Sequence, residues 1–173
     1  MRTYEAGIWI TPVPGIQVLP LYLDHSALDS YMFYIRVSGK SILFTGDFRE
    51  HGIVGQKGRL ERVLKTYVPG PVDILITEGT MLSRLGEAKN LLVKSEQELG
   101  REAKRLFEKH KYNFVLVSST NLDSIMEFYH NTPKNLRFVC DFYQAQILIT
   151  AMRDMERRGN FPEYRPSKKH PVV

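Results

Sequence analysis

Apolar runs at residues 18–23, 32–37 and 42–44 alternate with short polar breaks. They are rich in bulky and β-branched side chains, which fill a pleated surface better than a helical stripe, so each predicts a buried strand. Ser38-Gly39-Lys40 joins the second run to the third. Its central glycine is free to take positive φ, which suits a tight hairpin. An earlier run at residues 7–10, followed by the turn signal Pro14-Gly15, predicts a first short strand within residues 4–12. Residues 57–67 carry Leu60, Val63, Leu64 and Tyr67 at helical spacing, and Pro69-Gly70-Pro71 stops that helix. Residues 72–77, VDILIT, predict another buried strand.

From Ser95 the pattern changes. Ser95-Glu96-Gln97-Glu98 has the spacing of a capping box, and Leu99, Ala103, Leu106 and Phe107 then form one apolar face of a helix ending near His110. A strand at 113–117, a polar turn at 118–121, a helix to about His130, a strand at 136–140 and a helix from about Tyr143 to Arg158 follow. Such alternation predicts parallel strands covered by helices and joined right-handedly. Pro162, Pro166 and Pro171 predict an extended tail beyond Gly159. The expected class is α/β. The change of pattern between residues 85 and 94 divides the chain into 1–84, 85–160 and a tail at 161–173.

Composition changes this picture only at the margins. A chain of 173 residues is long enough to bury roughly two thirds of its unfolded surface, so no disulfide scaffold is required. Cys140, the single cysteine, lies in an apolar run and reads as a small buried hydrophobe in a reducing compartment. No run approaches the ~20 apolar residues needed to span a bilayer, and no signal peptide pattern opens the chain, so a cytoplasmic protein without membrane contact is expected. The net charge of +5 favours polyanions. Its concentration in Arg153, Arg157, Arg158, Arg165, Lys168 and Lys169 is read first as a solvated helix face and tail, with a nucleic-acid path as the alternative.

Candidate chemistry gathers at predicted strand ends. His25 and Asp47 each stand just past an apolar run, and Glu78-Gly79 ends another. Imidazole and carboxylate are suitable zinc donors, whereas Asp47 can also close a turn through its side chain and His25 can be an ordinary strand-end histidine. Ser119, Thr120 and Asn121 precede a helix, where free N–H groups hold phosphate or where the same side chains simply cap. Gly39-Lys40-Ser41 has the end of a P-loop, but Tyr34 stands where its first glycine belongs.

Residues 24–30 (DHSALDS) and 44–48 (FTGDF) resemble two metal-ligand motifs of the metallo-β-lactamase fold hydrolases. Residues 72–80 (VDILITEGT) are similar to the acidic motif that opens the β-CASP insertion of the RNA-processing, ribonuclease J-like branch. Residues 118–125 (SSTNLDSI) and 139–148 (VCDFYQAQIL) resemble element starts inside that insertion. The resemblance runs from about residue 15 to residue 159. It implies part of a metallo-β-lactamase αββα sheet followed by part of a Rossmann-like β-CASP domain. It also implies His25 as a zinc ligand, Asp47 as a bridge between two zincs, and Glu78 acting on substrate or orienting a ligand. RNA or another phosphodiester would be the substrate.

The family's His-x-His-x-Asp-His run is absent, because no histidine precedes His25, and the histidines expected after the insertion are not matched. A closed zinc site takes about four ligands. The isolated chain is therefore expected to be an inactive, truncated portion of such an enzyme. From another class, a noncatalytic interaction module is the alternative, with a homo-oligomer or a complementing chain covering its open strand edges.

Overall fold

In a computed structural model, residues 4–53, 55, 58–80, 94–158 and 165 are described. They form a mixed α/β chain with a five-stranded sheet and four helices. The chain divides into two compact units, Met1–His25 with Asp29–Val93 and Ser26–Leu28 with Lys94–Val173. The boundary expected between residues 85 and 94 falls, but for Lys94, outside the described residues, as does the expected tail but for Arg165.

The first unit contains β1 (Ile10–Val13), β2 (Ile16–Leu23), β3 (Ser30–Val37), β4 (Lys40–Phe44), α1 (Arg59–Tyr67) and β5 (Ile74–Ile76). The strands lie side by side in chain order. The first four form an antiparallel meander in which Leu19 opposes Tyr34 and Leu21 opposes Met32. The β3–β4 turn has positive φ at both Ser38 and Gly39, the backbone twist that a two-residue hairpin requires. β5 then pairs parallel to β4, with Ile42 opposite Ile74 and Phe44 opposite Ile76. A parallel neighbour cannot be reached by a tight turn, so the chain crosses over through α1.

That crossover covers one face. Leu60, Val63 and Leu64 of α1, with Phe48, Val68 and Val72, pack on a buried cluster of Leu19, Leu21, Leu23, Met32, Tyr34 and Leu43. Buried Pro20 fits β2 because β1 stops pairing at Val18. Beyond that point the missing N–H faces an open edge, where the Pro20 carbonyl accepts the Gly7 N–H at 2.8 Å. Lys40 and Asp73 staple the starts of β4 and β5 at 2.7 Å. That bond, with the Ser41 N–H and hydroxyl also donating to Asp73, lowers the Asp73 carboxyl to about 2.

The second unit contains α2 (Glu96–Lys109), α3 (Leu122–Asn131) and α4 (Phe142–Arg158). The capping box forms as the spacing predicts. Ser95 Oγ accepts the Glu98 N–H, and Glu98 Oε2 accepts the Ser95 N–H at 2.8 Å. Phe107 meets Phe128 edge-on at 6.3 Å, and Ile125, Met126, Tyr129, Leu148 and Met155 are buried.

Three sequence expectations are corrected. Residues 113–117 and 136–140 are extended but enter no ladder among the described residues. Parallel strands need cover on both faces, and here Phe114 and Leu116 are fully exposed. Strand 72–77 shrinks to Ile74–Ile76, and all three residues are exposed rather than buried because they form the sheet's outer strand. The first strand forms later than expected, at Ile10–Val13.

Leu21 is 1 % exposed at the centre of the sheet core. Leu21→Ala should therefore destabilise the first unit by about 2–5 kcal/mol. Urea unfolding followed by fluorescence of Trp9, the single tryptophan, which lies 5.8 Å from Tyr34, reports that loss.

Candidate functional site

Strand direction decides which residues can meet. β2 and β4 flank the antiparallel β3, so they run the same way, and β5 runs with β4. All three therefore end at one rim. His25 follows β2, Asp47 follows β4 and Glu78 follows β5. His25 Nε2 lies 4.0 Å from Asp47 Oδ2, with the imidazole 32 % and the carboxylate 68 % exposed. Positive φ at Gly46 turns the chain immediately before Asp47.

Glu78 is anchored beside them. Its Oε1 accepts the Phe48 N–H at 2.9 Å. That bond first, and the Thr80 hydroxyl next, hold the Glu78 carboxyl below its ordinary range and keep it an ionised acceptor near neutral pH. The Thr45 N–H bonds Ile76 O at 2.9 Å and the Thr45 hydroxyl meets the Thr77 hydroxyl at 3.2 Å, so the exits of β4 and β5 are tied together.

A further pair underlies the rim. Asp24 is 3 % exposed. Its Oδ2 accepts the Gly52 N–H at 3.1 Å and lies 3.5 Å from Arg49 Nε, while its carbonyl accepts the Arg49 N–H at 3.0 Å. Each residue adjoins a candidate donor, since Asp24 precedes His25 and Arg49 lies two positions after Asp47. From its sequence, the glycine-rich segment after Asp47 reads as a polar, flexible loop that either carries function or merely connects. Gly52, Ile53 and Gly55 are instead buried, the two glycines close against Asp24. The legible signal was the glycine pair itself, because a Cβ on Gly52 or Gly55 would come within 2.4 or 2.5 Å of Asp24 Oδ2.

Ser119, Thr120 and Asn121 belong to the second unit. Ser119 O accepts from Gln144 Nε2 at 3.4 Å, the Thr120 hydroxyl meets that of Ser118 at 3.0 Å, and Asn121 Nδ2 donates to Ser124 Oγ at 2.9 Å. Asn121 stands at the N-cap of α3 without making a side-chain cap bond. His51, His110 and His130 are exposed.

Zinc takes about four donors, or three and a water. His25 and Asp47 are close enough to share one ion, but among the described residues no group of three or more His, Cys, Asp or Glu side chains converges to hold a metal. The described residues do not by themselves close a zinc site.

The fold and rim define a mixed α/β protein with a histidine–carboxylate pair at the shared ends of its strands. No family model matches the sequence, and no curated protein matches it. The chain is similar in fold to a crystal structure of a protein of unknown function from Enterococcus faecalis V583, with a TM-score of 0.68 and 20 % identity. The match covers 87 % of this chain and 35 % of that one, so the chain spans about a third of that protein. No described helix is long and apolar enough to cross a membrane.

Two outcomes test the rim. Gly52→Ala should unfold the first unit at markedly lower urea, because the added methyl strikes the Asp24 carboxylate. Glu78 gains stability from its lowered pKa above the ordinary carboxyl value of 4.5 and loses it as pH falls through the folded value. The stability difference between wild type and Glu78→Gln should therefore be full in urea titrations at about pH 7 and shrink progressively as the pH is taken below 4.5.

Proposed function

We propose that this chain is the central part of a metal-dependent hydrolase of the metallo-β-lactamase/β-CASP type, whose complete form cleaves RNA or another phosphodiester. The observation that carries this reading is the 4.0 Å approach of His25 Nε2 to Asp47 Oδ2 at a rim formed by strands that end together. The ordered set His25, Asp47 and Glu78 of the resembled motifs thereby belongs to one rim. Glu78, ionised and held by Phe48, acts as a fixed acceptor that orients a neighbour, not as a proton donor.

The chain contributes two donors to a zinc centre and leaves the remaining donors to polypeptide outside these residues. The isolated chain then binds zinc weakly and does not turn over RNA. Metal analysis after dialysis, with zinc titrations followed by histidine NMR signals, tests both halves. A zinc response of His25 that disappears in Asp47→Ala supports the shared site, and no response at His25 refutes it. Tight stoichiometric zinc with RNA cleavage by the isolated chain refutes its incompleteness.

A further inference from the structure

The second unit carries an apolar surface that its own helices leave open. Residues 113–117 and 136–140 are extended. Among the described residues, the backbone N–H groups of 114–117 and 137–140 make no hydrogen bond. Beside them Phe114 and Leu116 are fully exposed, and Tyr112, Val139 and Phe142 are 73 %, 83 % and 85 % exposed. Aromatic side chains bury roughly 150 Å² or more apiece. With Leu116, Val115 and Val139 the surface comes to on the order of 800 Å², which is what one partner of a stable interface buries. Extended backbone with unused donors, edged by apolar side chains, is a template for strand addition.

The charges select the occupant. Residues 137–141 read Arg-Phe-Val-Cys-Asp. Phe138 turns inward to meet Tyr129 edge-on at 5.5 Å, while Arg137, Val139 and Asp141 are exposed. When this segment pairs antiparallel with itself about Val139, Arg137 of each copy lies across from Asp141 of the other. Parallel pairing in register would set arginine against arginine. Antiparallel pairing of residues 113–117 about Val115 would bring no charges together. Opposite charges directly across a ladder favour a register and like charges disfavour it. A twofold axis repeats the favourable pair.

We propose that a second copy of this chain docks here, the two segments 137–141 forming an antiparallel ladder centred on Val139. The pairing is independent of the metal reading, since none of its residues belongs to the rim.

Light scattering on the eluting full chain should give twice its 20.0 kDa mass. Arg137→Asp, or Asp141→Arg, sets like charges across the ladder and should yield monomer, while the double reversal should restore the dimer. Because Asp141 Oδ1 also accepts the Gln144 N–H at 2.7 Å at the start of α4, circular dichroism of each variant separates lost pairing from lost folding. In a Cys140→Ser background, Val139→Cys should form a disulfide-linked dimer on mild oxidation, because facing residues in an antiparallel ladder lie about 4.5–5.5 Å apart, within disulfide reach. Arg137→Cys in that background should not. A monomeric wild type, undefined aggregates, a dimer indifferent to single reversals, or no cross-link through position 139 would each overturn the proposal.

Discussion

A buried carboxylate must be given hydrogen-bond donors, and Asp24 draws them from the segment that follows β4. That requirement closes the gap between the end of β2 and the end of β4. The Asp24 carbonyl receives the Arg49 N–H and its side chain receives Gly52, so the chain after Asp47 is drawn back against the residue before His25. The separation of His25 and Asp47 follows from this linkage more than from anything the two side chains do to each other. At 4.0 Å, and with Asp47 mostly in water, their mutual attraction is slight. Burial encloses the supporting pair and leaves the outer pair approachable.

The hydrophobic pattern showed the meander well because β2 and β3 carry the buried positions that fix their register, Leu21 against Met32 and Leu19 against Tyr34. The hairpin at Ser38-Gly39 and the capping box at Ser95 were legible for another reason, since each is encoded within a few neighbouring residues. The runs at 113–117 and 136–140 misled for the opposite reason. An apolar run states that a segment could pair; whether a ladder forms depends on neighbours and cover far away in the chain. The same limit explains β5, whose Ile-Leu-Ile reads as interior although it lies at the margin of the sheet.

For the rim, strand-end positions pointed to His25, Asp47 and Glu78. Their relation could not be read from spacing alone, because it arises from the parallel run of β2, β4 and β5 after two reversals and one crossover. Asp24 and Arg49 were harder to see. Charged residues are usually read as solvated, and only the tight packing of Gly52 and Gly55 around the carboxylate distinguishes this pair from a surface couple.

Pro20 closes one flank of the sheet to growth. Along the stretch of β2 that β1 leaves uncovered, proline offers no donor and its carbonyl is already taken by Gly7. An incoming strand finds nothing to register against there. Among the described residues no strand pairs with the far side of β5, whereas the Pro20 flank is a fixed selvedge.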